Sequence, residues 1–178
     1  MTTEQVILCN CFYLLELVAA AYFTRASGRR IAGALAGGAV IGLVFPGVIA
    51  FVEAMGWWRV PMQWTPFYLS MFYLDFVLAC APVYLVTWRV ARRFGWRGMA
   101  VLLATVAVIG PVRDYQVVVM FPEWIVFSPC VAPVLGVAAV YVGTVVLGQA
   151  VMRVVAGPAG SDPLVRQPKT ATQTAITG

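Results

Sequence analysis

The chain alternates between long apolar stretches and short polar punctuation. Five stretches, at about 5–24, 31–55, 67–88, 99–121 and 125–152, are apolar over the length a helix needs to cross the hydrocarbon of a bilayer. That core is about 30 Å thick and takes roughly 20 helical residues. The connections are short, so consecutive helices run antiparallel. The start of the chain does not read as a cleavable signal: it carries Glu4 rather than a basic residue, and its apolar run continues too far without a small-residue cleavage site.

Composition supports the pattern. Of 178 residues, 62% are hydrophobic and 11% charged, whereas a soluble domain carries about twice that charged fraction. Mean hydropathy is +0.88. The expected fold class is all-α, an integral membrane bundle of five transmembrane helices over residues 1–156, followed by a disordered cytoplasmic tail over 157–178. The tail is rich in Pro, Gly, Thr and Ala without periodicity.

The distribution of Lys and Arg sets the expected orientation. Arg25, Arg29 and Arg30 lie between the first two runs, Arg89, Arg92, Arg93 and Arg97 between the third and fourth, and Arg153, Arg166 and Lys169 after the fifth. This leaves Arg59 and Arg113, and predicts an N-out, C-in protein. The membrane would be a bacterial plasma membrane, or the endoplasmic reticulum in a eukaryote. The net charge of +5 is thus a topology signal and implies no nucleic-acid partner.

Cys9, Cys11, Cys80 and Cys130 all fall in apolar runs and behave as small hydrophobes, and there is no histidine. No metal site and no cofactor is expected. What remains for chemistry is acidic. Glu16, Glu53, Asp75, Asp114 and Glu123 fall in or beside the five runs. At about 1.5 Å per residue, most of them favour the outer half of the bundle. An ionisable group at such depth costs at least about 2.5–3.5 kcal/mol, so these acids should face inward and find partners. Arg113 is the available counter-ion. A residue one step along a helix points about 100° away, so Arg113 need not pair with Asp114 and could instead reach Asp75 or Glu53 on a neighbouring helix.

Aromatic residues gather in the same half, among them Trp57, Trp58, Trp64, Tyr68, Phe72, Tyr115 and Trp124. The ordinary explanation is an interfacial belt. Tyr68, Met71, Phe72, Ala79 and Pro82 share the Asp75 face by helical spacing and are expected inside. A polar network that merely holds the bundle together competes with a pocket open to the outer side. Gly33/Gly37 and Gly38/Gly42 have GxxxG spacing and predict close helix packing, with Gly136 and Gly143 serving similarly. Pro82, Pro111, Pro129 and Pro133 should break helical hydrogen bonds within the membrane and favour a cavity.

Three segments resemble the EXPERA family of emopamil-binding proteins and sterol isomerases. "FPGVIAFVEAMGWW" (45–58) is similar to a helix leading to a glutamate, here Glu53. "FYLDFVLACAPVYLV" (72–86) is similar to an acid followed two turns later by proline, here Asp75 and Pro82. "GPVRDYQVVVMFPEW" (110–124) supplies Gly110, Asp114 and Glu123. The resemblance covers about 40–150 and implies five spans, N-out, around a pocket for a bulky hydrophobic ligand. The chain departs from the pattern at Ile49, where the isomerases have histidine, in having Asp75 for glutamate, and in lacking the asparagine and tryptophan of the last helix.

Three functional readings follow. The first is an isomerase or cyclase of isoprenoid- or sterol-like lipids, with Asp75 and Glu53 as acid–base pair and Asp114 with Arg113 organising them. Tyr68, Phe72, Trp57, Tyr115, Glu16 and Glu123 would complete the ligand site. The second is a lipid-binding module that converts nothing. The third is an accessory subunit of a membrane complex. The ligand in the first two is a hydrophobic small molecule or lipid, and the sequence does not specify an oligomeric state.

Overall fold

The computed structural model describes residues 3–61, 65–120, 122, 125–160 and 164. Its elements are α1 (Thr3–Thr24), α2 (Gly28–Ala54), β1 (Trp58–Arg59), α3 (Pro66–Met120), β2 (Val126–Phe127) and α4 (Ala132–Ala156). Among the described residues the regular structure is helical apart from the strand pair, and the four helices there are long and apolar enough to cross a membrane.

Helix α3 holds the third and fourth apolar runs. Its 55 residues would extend about 80 Å if straight. They do not, because Gly95 interrupts the helix with φ 62° and ψ −147°, a conformation open to glycine and few others. The Tyr84 hydroxyl donates to the Thr144 carbonyl, and the Tyr141 hydroxyl donates to Asp114. Tyr141 and Thr144 are less than one turn apart on α4, while Tyr84 and Asp114 are about 45 Å apart along a straight helix. The two arms of α3, 66–94 and 96–120, therefore fold back on each other at Gly95. The expected polar loop over 89–98 is instead a helical hairpin whose arginines extend both arms.

One end of the bundle carries the turn at Arg25–Ser27, the Gly95 reversal and the end of α4. The other carries β1 and β2, which pair antiparallel with Trp58 opposite Phe127 and Arg59 opposite Val126. We call these the arginine end and the strand end. The strands account for the shortened last helix. Its expected start at 125 gives way to β2 and a turn, and α4 begins at Ala132 with Pro133 in its first turn, where the missing N–H breaks no helical bond. Pro129 precedes the helix. Among the described residues, Pro46, Pro82 and Pro111 lie inside helices beyond the first turn.

The glycines of α2 pack as their spacing predicts. A Cβ at Gly33 would press on Met152 and Ala156 of α4, and one at Gly37 on the Gly148 carbonyl and the Tyr84 ring. At Gly38 it would strike the Val77 backbone, and at Gly42 the Tyr73 ring. One pair thus seats α2 on α4 and the other seats it on α3. Gly136 similarly admits the rings of Trp57 and Trp58, but Gly143 has open space around it and packs nothing.

The main core lies between α2, the first arm of α3 and α4, centred on Ala34, Ala81, Tyr84, Leu85, Trp88 and Met152. At its arginine end Arg30 is fully buried. It donates to the carbonyls of Gly157 (2.9 Å) and Pro158 (3.0 Å), and its guanidinium lies 5.1 Å from the centre of the Trp88 ring. The Trp88 indole N–H donates to the Ala159 carbonyl (3.0 Å). Arg30 thus cements the exit of α4 as well as marking charge at a loop. Gly157–Gly160 and Leu164 are the described part of the expected tail, and 161–163 and 165–178 lie outside the described residues.

Candidate functional site

Four helical segments bring polar side chains to one level. Counting from the strand end at about 1.5 Å per residue, Tyr13 of α1, Asp75 of the first α3 arm, Arg113 of the second arm and Tyr141 of α4 all lie about 10–15 Å in. Arg113 donates through Nη2 to the Tyr13 hydroxyl (3.1 Å) and through Nη1 to the Tyr141 hydroxyl (3.4 Å). Tyr141 donates to Asp114 Oδ1 at 2.7 Å. Asp75 lies within electrostatic range of Arg113, Tyr13, Cys9 and Cys80. Its Oδ1 is buried with no hydrogen-bond partner.

The local sequence explains the arrangement. Gly110 is buried against the Tyr141 ring, which occupies the space a Cβ would fill. That contact carries the Tyr141 hydroxyl one turn along the arm to Asp114 and Arg113. Gly110 thus admits a ring, where the sequence suggests a break in the helix. Residues 113 and 114 share Tyr141 instead of pairing directly, and among the described residues Arg113 makes no hydrogen bond to Asp75 or Glu53.

Not all predicted site residues meet. Glu53 is the penultimate residue of α2 and accepts from the Val60 N–H at 2.8 Å, closing the turn into β1. It sits about 12 Å nearer the strand end than Asp75, and no hydrogen bond among the described residues joins them. Arg113 accordingly organises tyrosines and the Asp75 field, and does not bridge to Glu53. The Trp57 ring lies edge-on to Phe51 (6.2 Å) and over Gly136, as packing at the strand end. Phe72 joins Phe45 and Phe76 between α2 and α3. Tyr68 is half-buried one turn into α3, beside Phe67. Glu16 is exposed on α1, about 20 Å from the strand end. Glu123 lies outside the described residues, as do Trp64 and Trp124.

Tyr115 stacks on Phe127 with ring centres 4.6 Å apart. It borders an open groove of about 650 Å³ with Val118, Ile125, Phe127, Cys130 and Val131. A second groove of about 700 Å³ runs along Glu53, Trp58, Arg59 and Ser128. Both grooves flank the strand pair rather than Asp75, and Tyr115 is the link between the first of them and the polar level. The largest omission from the sequence reading is the tyrosines. Tyr13 and Tyr141 each sit in an apolar run at the depth of Arg113, and the depth count that located the acids would have located them too.

Comparison with protein-family models, curated proteins and solved structures finds no match to this chain.

Proposed function

We propose that the protein is a five-span, N-out membrane protein that binds an isoprenoid- or sterol-like lipid within the bundle without converting it. The two arms of α3 count as separate spans, and the basic end faces the cytoplasm. The observation that carries the binding reading is the polar level itself: a guanidinium, two tyrosine hydroxyls and two carboxylates converge in apolar surroundings, and one carboxylate oxygen of Asp75 has no partner. Such groups are costly in hydrocarbon and mark ligand pathways by default. The resemblance of 40–150 to the sterol-isomerase family supports the same ligand class.

The enzymatic alternative requires a second carboxylate beside Asp75. Glu53 is committed to Val60, and Asp114 to Tyr141. Both commitments favour binding over acid–base isomerisation.

Asp75→Leu tests the reading. Removing an ionisable group from this depth relieves an insertion cost of about 2.5–3.5 kcal/mol, so the variant should fold. Mass spectrometry of lipids carried through purification should then show an isoprenoid- or sterol-like species with the native chain and not with the variant. Equal lipid in both, or a double-bond isomer produced on incubation, would count against a non-catalytic site at Asp75.

A further inference from the structure

Tyr13, Asp75 and Arg113 carry more hydrogen-bonding capacity than their neighbours use. The Tyr13 hydroxyl accepts from Arg113, and its own proton meets no acceptor among the described residues. The guanidinium has five N–H donors, of which two are engaged by Tyr13 and Tyr141. Asp75 makes no hydrogen bond among the described residues, and its Oδ1 is wholly buried. Unspent donors and an unspent acceptor therefore meet at one level of the bundle.

Two of the helices that carry this level do not pack on each other. Helix α1 packs almost entirely on α3 and makes little contact with α4. Arg113 nevertheless joins Tyr13 of α1 to Tyr141 of α4, so its guanidinium spans a gap between two helices that do not pack together. Arg113 is also exposed, so a lipid can approach it sideways from the bilayer.

Charge narrows the class of occupant. One guanidinium stands among two carboxylates, Asp75 and Asp114. A phosphate or carboxylate brought in would add negative charge to a site that already has an excess, in surroundings where like charges repel strongly. A hydrocarbon would leave the polar groups unpaired, at a cost of its own. A hydroxyl fits both demands, because it donates one hydrogen bond and accepts others.

We infer that Tyr13, Asp75 and Arg113 receive the hydroxyl end of a neutral long-chain isoprenoid or sterol-like alcohol, and select it over its phosphorylated or carboxylated counterparts. This deepens the lipid-binding reading and rests on it. The hydroxyl donates to the Asp75 carboxylate and accepts from Arg113 and Tyr13. Tyr13 lies outside the segment that resembles the sterol isomerases, so this end of the site belongs to the particular chain.

The test uses the full-length protein in nanodiscs and four probes with one C20 isoprenoid tail: geranylgeraniol, its diphosphate, the matching carboxylic acid and the hydrocarbon without a head group. Geranylgeraniol should bind at least about ten-fold more tightly than each of the others, the scale of one well-made hydrogen bond to a charged group. Tyr13→Phe and Arg113→Lys should each reduce that preference by roughly five- to ten-fold, and a thermal melt of each variant in the same nanodiscs should match that of the native protein and so show that it is folded. Equal or tighter binding of the diphosphate would overturn the inference and leave the lipid-binding reading standing. Alcohol binding indifferent to both variants would mean that water fills the cluster, and would also overturn it. If none of the four probes binds, the lipid-binding reading falls as well.

Discussion

Tyr141 shows how a small residue can place a distant polar group. Its ring lies where Gly110 has no side chain, and its hydroxyl then holds Asp114 at 2.7 Å and meets Arg113. Gly110→Val should displace the ring and cost about 1–3 kcal/mol through overpacking. Tyr141→Phe keeps the ring but strips Asp114 of its donor, at about 1–3 kcal/mol. The two losses share one structure, so the double variant should fall well short of their sum. Reversible unfolding in mixed micelles measures all three, and strict additivity would show that ring and hydroxyl act independently. The sequence displayed Gly110, Arg113 and Asp114 openly, because a glycine and charges stand out in an apolar run. Tyr13 and Tyr141 were hidden because tyrosine is ordinary in membrane helices, and only its depth makes it a partner. Glu53 was misleading for the opposite reason. An acid at a helix end looks like an intramembrane acid in sequence, and only the turn into β1 shows that its carboxylate serves the Val60 N–H.

The helices themselves were legible to within a few residues where apolar length decides them, at α1, α2 and both arms of α3. The last helix was not. Its first residues pair as a strand, and that pairing depends on Trp58 and Arg59, which are far away in sequence. Spacing also gave a mixed result for the glycines. The four glycines of the two GxxxG pairs in α2 are all at contacts, because two such pairs on one helix can serve two neighbours. Gly143, which looked equivalent, is not. Gly38→Ala should therefore force α2 away from the Val77 backbone and destabilise by about 1–3 kcal/mol. Gly143→Ala should be neutral or gain up to about 1 kcal/mol from helix propensity. Thermal unfolding of the two purified variants tests this, and similar melting temperatures would show that the α2–α3 approach has slack.

Considered as a whole, the bundle is polar at both ends for different reasons. The arginine end gathers Arg25, Arg29, Arg92, Arg93, Arg97 and Arg153 around the turns, and the strand end carries the paired strands and Cys130, which is exposed. The proposed five-span, N-out arrangement would place these ends on opposite sides of a membrane, with the strand end outside. A membrane-impermeant maleimide applied to intact cells should then label Cys130, while a cysteine introduced at Gly160 should stay unlabelled until the cells are permeabilised. Labelling of both from one side would require an even number of crossings and overturn the five-span proposal. Composition made the membrane class plain at once, because so little charge cannot cover a soluble surface. The fold-back at Gly95 was legible only as a cluster of arginines, since nothing about a lone glycine tells a bend from a reversal.

The clamp at Arg30 has a consequence for how the protein is made. Its acceptors at Gly157 and Pro158 lie 127 and 128 residues further along the chain. During synthesis the hairpin of α1 and α2 leaves the ribosome long before those carbonyls exist. Until then the Arg30 guanidinium must rest among lipid headgroups and water, and α2 stands without the helix that its Gly33–Gly37 face is shaped to receive. Closure of the bundle therefore waits until Gly157 and Pro158 have left the ribosome exit tunnel. Ribosomes stalled with those residues still inside the tunnel would hold an open, protease-sensitive intermediate, and freeing that segment from the tunnel would seal it.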